Sequence, residues 1–136
     1  MLLACFACSV PRIVVLGDPL SAEEHNDLGV VYELKGMNDL AQKEYSRAAA
    51  LKKDWHVPLF NLGNLALRGG DLTTAEKNYR NALDLDPQNA DVMNNLALTL
   101  HEMGRNDEAR ALIEQALAIE CKEEYLDSRR IIFQHP

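Results

Sequence analysis

Small and apolar residues return along this chain at a fixed step. Leu28-Gly29, Leu62-Gly63 and Leu96-Ala97 are 34 residues apart, as are Ala41, Ala75 and Ala109, and again Ala48, Ala82 and Ala116. Gly36, Gly70 and Gly104 keep the same interval. A period near 34 carrying helical patterning predicts stacked helix-turn-helix units. Each unit is a pair of antiparallel helices that cannot bury its apolar face alone, so neighbouring units must stack.

The pattern places three units at about 22–55, 56–89 and 90–123. Ser21, three residues before Glu24, predicts a capping box that opens the first helix at about 22–35. Gly36 is placed to end it in the left-handed conformation. Second helices are expected near 39–53, 73–85 and 107–120, N-capped by Asp39, Thr73 and Asp107, with Thr73 and Glu76 forming another box. The remaining first helices fall near 57–68 and 90–103. The small residues at 29, 63 and 97, and the recurring alanines, fit places where helices approach closely. Tyr32, Tyr45, Tyr79, Leu100 and Leu112 are read as the large residues filling the space between. Tyr125, Leu126, Arg129, Ile132 and Phe133 lie at helical spacing and predict a capping helix over about 122–133, covering the last stacking face.

Composition narrows the function. A formal charge of −7 and pI near 5.0 argue against a nucleic-acid surface, which needs clustered Lys and Arg. Three cysteines are too few for a disulfide framework, and no apolar run is long enough to span a bilayer. Cys5-Phe6-Ala7-Cys8 has the spacing of a redox pair or half a zinc site, but no second ligand pair follows. His25, His56, His101 and His135 are widely separated, and Gly69-Gly70-Asp71 lacks the P-loop lysine. The sequence therefore predicts no catalytic residues, metal or cofactor.

These recurring residues resemble the tetratricopeptide repeat (TPR) family. The second unit matches best, with Leu59, Leu62-Gly63, Ala66, Gly70, Ala75, Tyr79, Ala82 and Pro87. The resemblance implies an all-α, right-handed superhelical solenoid of three repeats plus the capping helix, spanning about 21–133. It also implies a non-catalytic platform that takes an extended peptide or protein segment in its concave groove. By alignment to the repeat, the groove-facing residues are Asn26, Val30 and Glu33 in the first unit, and Phe60, Asn61, Asn64 and Leu67 in the second. In the third they are Asn94, Asn95, Leu98 and His101. Asparagine amides both donate and accept, so they suit the backbone of an extended peptide; Phe60, Leu67 and Leu98 suit its side chains. Chaperone-binding members grip a terminal carboxylate with Lys and Arg. The matching positions here are Asn26, Val30, Asn61, Asp91 and Asn95, so that counter-charge is missing.

Residues 1–20 stand apart as an extended N-terminal segment. The run Leu2-Leu3-Ala4-Cys5 and the Cys5–Cys8 stretch resemble the end of a bacterial lipoprotein signal. Lipidation would fall on Cys8, or on Cys5, and would be the chain's one route to a membrane. That reading puts the protein on the bacterial cell envelope as a tethered adaptor and is preferred to a cytoplasmic one. In the other, residues 10–16 form a strand packed on the chain's own or a neighbour's groove. A self-associating structural protein, with that strand or the capping helix joining protomers, is the alternative to an adaptor.

Overall fold

The computed structural model describes residues 17–134; the expectations for Cys5, Cys8, residues 10–16 and His135 lie outside them. Among the described residues there are seven helices and no strand. They are α1 (Ala22–Leu34), α2 (Asn38–Leu51), α3 (Val57–Arg68), α4 (Leu72–Leu85), α5 (Ala90–Glu102), α6 (Asn106–Ile119) and α7 (Glu123–Gln134). Consecutive helices pair as α1/α2, α3/α4 and α5/α6, and α7 packs on α5 and α6.

Local chemistry sets the boundaries. Ser21 Oγ accepts the Glu24 amide at 3.2 Å and the Glu24 carboxylate accepts the Ser21 amide at 2.8 Å, the reciprocal box that starts α1. The first helices of the three pairs, α1, α3 and α5, all end alike. Gly36, Gly70 and Gly104 take φ of 71°, 78° and 78°. The glycine N–H and the next residue's N–H bond back to carbonyls in the last turn, as in Gly36 to Glu33 and Met37 to Tyr32, both 2.9 Å.

That turn corrects the second helices. Their N-caps are Met37, Asp71 and Arg105, two residues before the expected Asp39, Thr73 and Asp107. The residue closing one helix immediately opens the next, which leaves no room for a separate cap. Asp71 Oδ1 accepts the Thr74 amide at 3.0 Å. The Thr73–Glu76 box does not form; Glu76 instead holds Arg80 and Arg105.

The core follows the 34-residue step. Ala41, Ala48, Ala75, Ala82, Ala109 and Ala116 are fully buried. Tyr45, Tyr79 and Ile113 occupy one equivalent position and are buried as well. Ile113, rather than Leu112, is therefore the large residue of the third unit; Leu112 is half-buried. A Cβ on Gly63 would meet the Tyr79 ring carbons at 2.5 and 2.6 Å, and one on Gly29 would meet Tyr45 equally closely. The third unit has Ala97 there, and its partner is Ile113 instead of a tyrosine.

Gly63→Ala is accordingly expected to destabilise by about 1–3 kcal/mol through overpacking. Alanine's better helix propensity, worth about 1 kcal/mol, offsets only part of this. Urea denaturation reads the loss, and adding Tyr79→Ile should recover part of it. A single variant as stable as the parent would mean that the ring can move aside.

Candidate functional site

The odd-numbered helices stand side by side on one face. Direct contacts join α3 to α5 and α5 to α7, while the even-numbered helices pack on the odd-numbered ones. We refer to α1, α3, α5 and α7 as the inner row. Because first-helix positions repeat every 34 residues, equivalent residues recur on the same face of α1, α3 and α5.

Two amide bridges cross this row. Asn61 Nδ2 donates to Asn26 Oδ1 at 2.9 Å, joining α3 to α1. Asn95 Nδ2 donates to Asn64 Oδ1 at 2.9 Å, joining α5 to α3. Asn64 Oδ1 also accepts the Tyr79 hydroxyl at 2.7 Å, and Asn94 Nδ2 donates to Asn95 Oδ1 at 3.1 Å. The five asparagines thus differ in what they leave open. Asn26 and Asn94 are buried, whereas Asn61, Asn64 and Asn95 are half-buried. Among the described residues, Asn61 Oδ1 and Asn64 Nδ2 carry no further bond. One acceptor and one donor, a helical turn apart on α3, remain available to a guest.

The apolar members surround them. Phe60, Leu67 and Leu98 are half-buried, and the Phe60 ring lies 6.0 Å from that of Tyr79 with a 49° tilt. Val30 is exposed at the α1 end. Glu33 is engaged within the fold: it accepts the Tyr45 hydroxyl at 2.8 Å and pairs with Arg68 at 2.5 Å. His101 Nδ1 lies 2.8 Å from Asn106 Oδ1, which ties α5 to the first turn of α6.

At the α7 end, Asp91 accepts the Tyr125 hydroxyl at 2.5 Å and the Lys122 ammonium at 2.9 Å. These two bonds, the tyrosine first, hold the Asp91 carboxyl below its ordinary range. Burial, reinforced by Asp91, pushes the Tyr125 phenol up to about 12. Burial likewise raises Tyr45 and Tyr79. All three therefore stay neutral hydroxyl donors on this side. Charges near the inner face are balanced in pairs, Glu33 with Arg68 and Asp91 with Lys122, leaving a middle made of amides and hydrocarbon.

The sequence reading did not single out the tyrosine hydroxyls, Arg68 or Lys122. Tyr45 and Tyr79 were legible only as bulk, because a 34-residue step reports size and not where a hydroxyl ends. Among the described residues no group of three or more His, Cys, Asp or Glu is arranged to hold a metal ion. Among them too, no helix is long and apolar enough to cross a membrane.

Comparison with known proteins gives the fold its relatives. The tetratricopeptide repeat family model matches residues 60–122. Photosystem I assembly protein Ycf3 of Rippkaea orientalis is 32% identical over 114 residues, covering 71% of this chain and 66% of that protein. Human Tetratricopeptide repeat protein 6 is 32% identical over 79 residues, 58% of this chain but 15% of its own length. Among solved structures, the first TPR domain of Spaghetti (RPAP3) bound to the HSP90 peptide SRMEEVD superposes with a TM-score of 0.80 at 20% identity, over 89% of this chain and 97% of that one. The Arabidopsis OM64 TPR domain gives 0.80 at 18% identity, over 85% and 97%. Residues 60–122 are thus matched by the tetratricopeptide repeat family, and the chain has the all-α helical-repeat fold of its tetratricopeptide neighbours.

Proposed function

We propose that this protein is a non-catalytic interaction module that receives an extended segment of a partner protein along α1, α3 and α5. One observation carries the reading most directly. Asn61 Oδ1 and Asn64 Nδ2 are left as an acceptor and a donor on one face of α3, flanked by Phe60, Leu67 and Leu98. An extended backbone offers N–H and C=O groups at matching intervals, and the apolar residues can seat its side chains. The RPAP3 domain, similar in fold, was solved with a peptide bound, and Ycf3 is named as an assembly protein; both agree with this reading.

The chemistry of the face also separates this chain from a carboxylate grip. Asn26, Val30, Asn61, Asp91 and Asn95 include no cation to grip a peptide's terminal carboxylate, and the Lys122 ammonium beside Asp91 is already engaged by that carboxylate. The peptide SRMEEVD should therefore give no heat of binding in calorimetry at concentrations up to the millimolar range.

The groove itself is tested with peptides selected from a random library against the whole chain. A photo-reactive residue replacing Leu98 should cross-link the selected peptides, and one replacing Ala111, exposed on α6, should not. Cross-linking at the outer position alone would move the binding face away from the inner helices, and tight binding of SRMEEVD would overturn the account of its chemistry.

A further inference from the structure

A cleft of about 220 Å³ opens between the first two helix pairs, away from the amide row. Its walls include Asp39 and Gln42 of α2 and Asp71 and Asn78 at α4, and its floor includes Leu65 and Ala66 of α3. Because the chain repeats, the junction between the second and third pairs shows what the same place looks like when it is filled. Moving 34 residues on, Gln42 becomes Glu76, Asp71 becomes Arg105, Thr74 becomes Glu108 and Asn78 becomes Leu112. There the Arg105 guanidinium occupies the junction. Its Nη1 donates to Glu76 at 2.6 Å, and its Nε and Nη2 donate to the two Glu108 oxygens at 2.7 and 2.8 Å. Arg80 completes the cluster by donating to Glu76 at 2.8 Å and pairing with Glu108 at 3.3 Å. Larger residues also close that junction, since Leu100 and Met103 stand where the first has Ala66 and Gly69.

The first junction thus lacks what fills its sibling. The two acids and two arginines of the second junction balance in charge. Their counterparts at the first are Gln42, Thr74, Ser46 and Asp71, and Asp39 stands nearby with no cation lining the cleft. We propose that this cleft is a socket for an arginine side chain of a partner protein, whose guanidinium takes the place that Arg105 fills one repeat later. Asp71 and Asp39 supply the acceptors and counter-charge, with the Gln42 and Asn78 amide oxygens beside them; Leu65 and Ala66 pack the aliphatic stem. Asp71 Oδ1 accepts the Thr74 amide; the Thr74 side chain first, and then that amide, hold the Asp71 carboxyl below its ordinary range, so it meets a cation as a carboxylate. The volume suits one side chain rather than a whole small molecule. This socket is separate from the amide row, so either can fail without the other.

The probe is N-acetyl-arginine amide, added to the full chain while backbone amide resonances are followed by NMR. Saturable shifts are expected at Asp39, Gln42, Asp71 and Asn78, with no comparable change at Asn61 or Asn95. The capped citrulline analogue, equal in shape but uncharged, should give none, and capped lysine should bind more weakly for want of a planar fork. Asp71→Asn keeps a good helix cap and should weaken binding about tenfold. Ala66→Leu, which installs the residue found one repeat later, should abolish it by filling the floor. Shifts scattered over the surface, equal binding of citrulline, or full binding by the Ala66→Leu variant would each overturn the socket.

Discussion

Replacing Tyr79 with alanine is expected to cost about 3–5 kcal/mol, the usual penalty for emptying a buried aromatic site. Against a total stability of roughly 5–15 kcal/mol for a domain of this size, that loss is a large fraction of what holds the fold together. The residue is central for three separate reasons. Its ring is fully buried against Gly63, which has no side chain to fill the space left behind. It packs against Phe60 on the inner face. Its hydroxyl also donates to Asn64 at 2.7 Å, so the core of the second pair is joined to the amide row. Tyr79→Phe separates packing from hydrogen bonding and should cost about 1 kcal/mol. Urea denaturation followed by circular dichroism measures both, and an alanine variant with an unchanged midpoint would show that the second pair does not depend on this ring.

Ending the chain after Cys121 should have an effect of similar size. It removes α7, whose Tyr125, Ser128 and Ile132 are buried on α5 and α6. Burying one large apolar side chain is worth roughly 1.5–3 kcal/mol, so losing Tyr125 and Ile132 forfeits about 3–6 kcal/mol. It also uncovers the stacking face of the third pair, which should bind a hydrophobic dye and promote self-association. The shortened protein is thus expected to melt well below the full chain and to elute early in size-exclusion chromatography. A shortened chain as stable and as monodisperse as the parent would make α7 a passive extension.

Both results depend on packing that a period can report. Gly29, Gly63, Ala97 and the six alanines were legible because stacking demands small residues at a constant interval. Ser21-Glu24 was legible because a capping box is local chemistry. The second-helix starts were misread, since a turn that ends one helix and opens the next is a shared hydrogen-bond arrangement, whereas side-chain preference alone suggested Asp39, Thr73 and Asp107. Leu112 lies one residue short of the 34-residue step from Tyr79; the step itself falls on Ile113, which is the buried residue.

The sequence by itself determined the architecture: the 34-residue repeat, the helix pairs, the glycines that end them and the terminal helix all follow from local rules applied at fixed intervals. Only the tertiary structure decided how the inner polar residues divide their bonds. A half-buried asparagine has two donors and two acceptor sites, and which of them a neighbouring helix takes depends on the distance and angle between helices that sequence spacing does not fix. The same geometry left one junction open beside Asp71 and closed its sibling around Arg105, a difference carried by a few side chains and visible only once the two repeats are laid against each other in space.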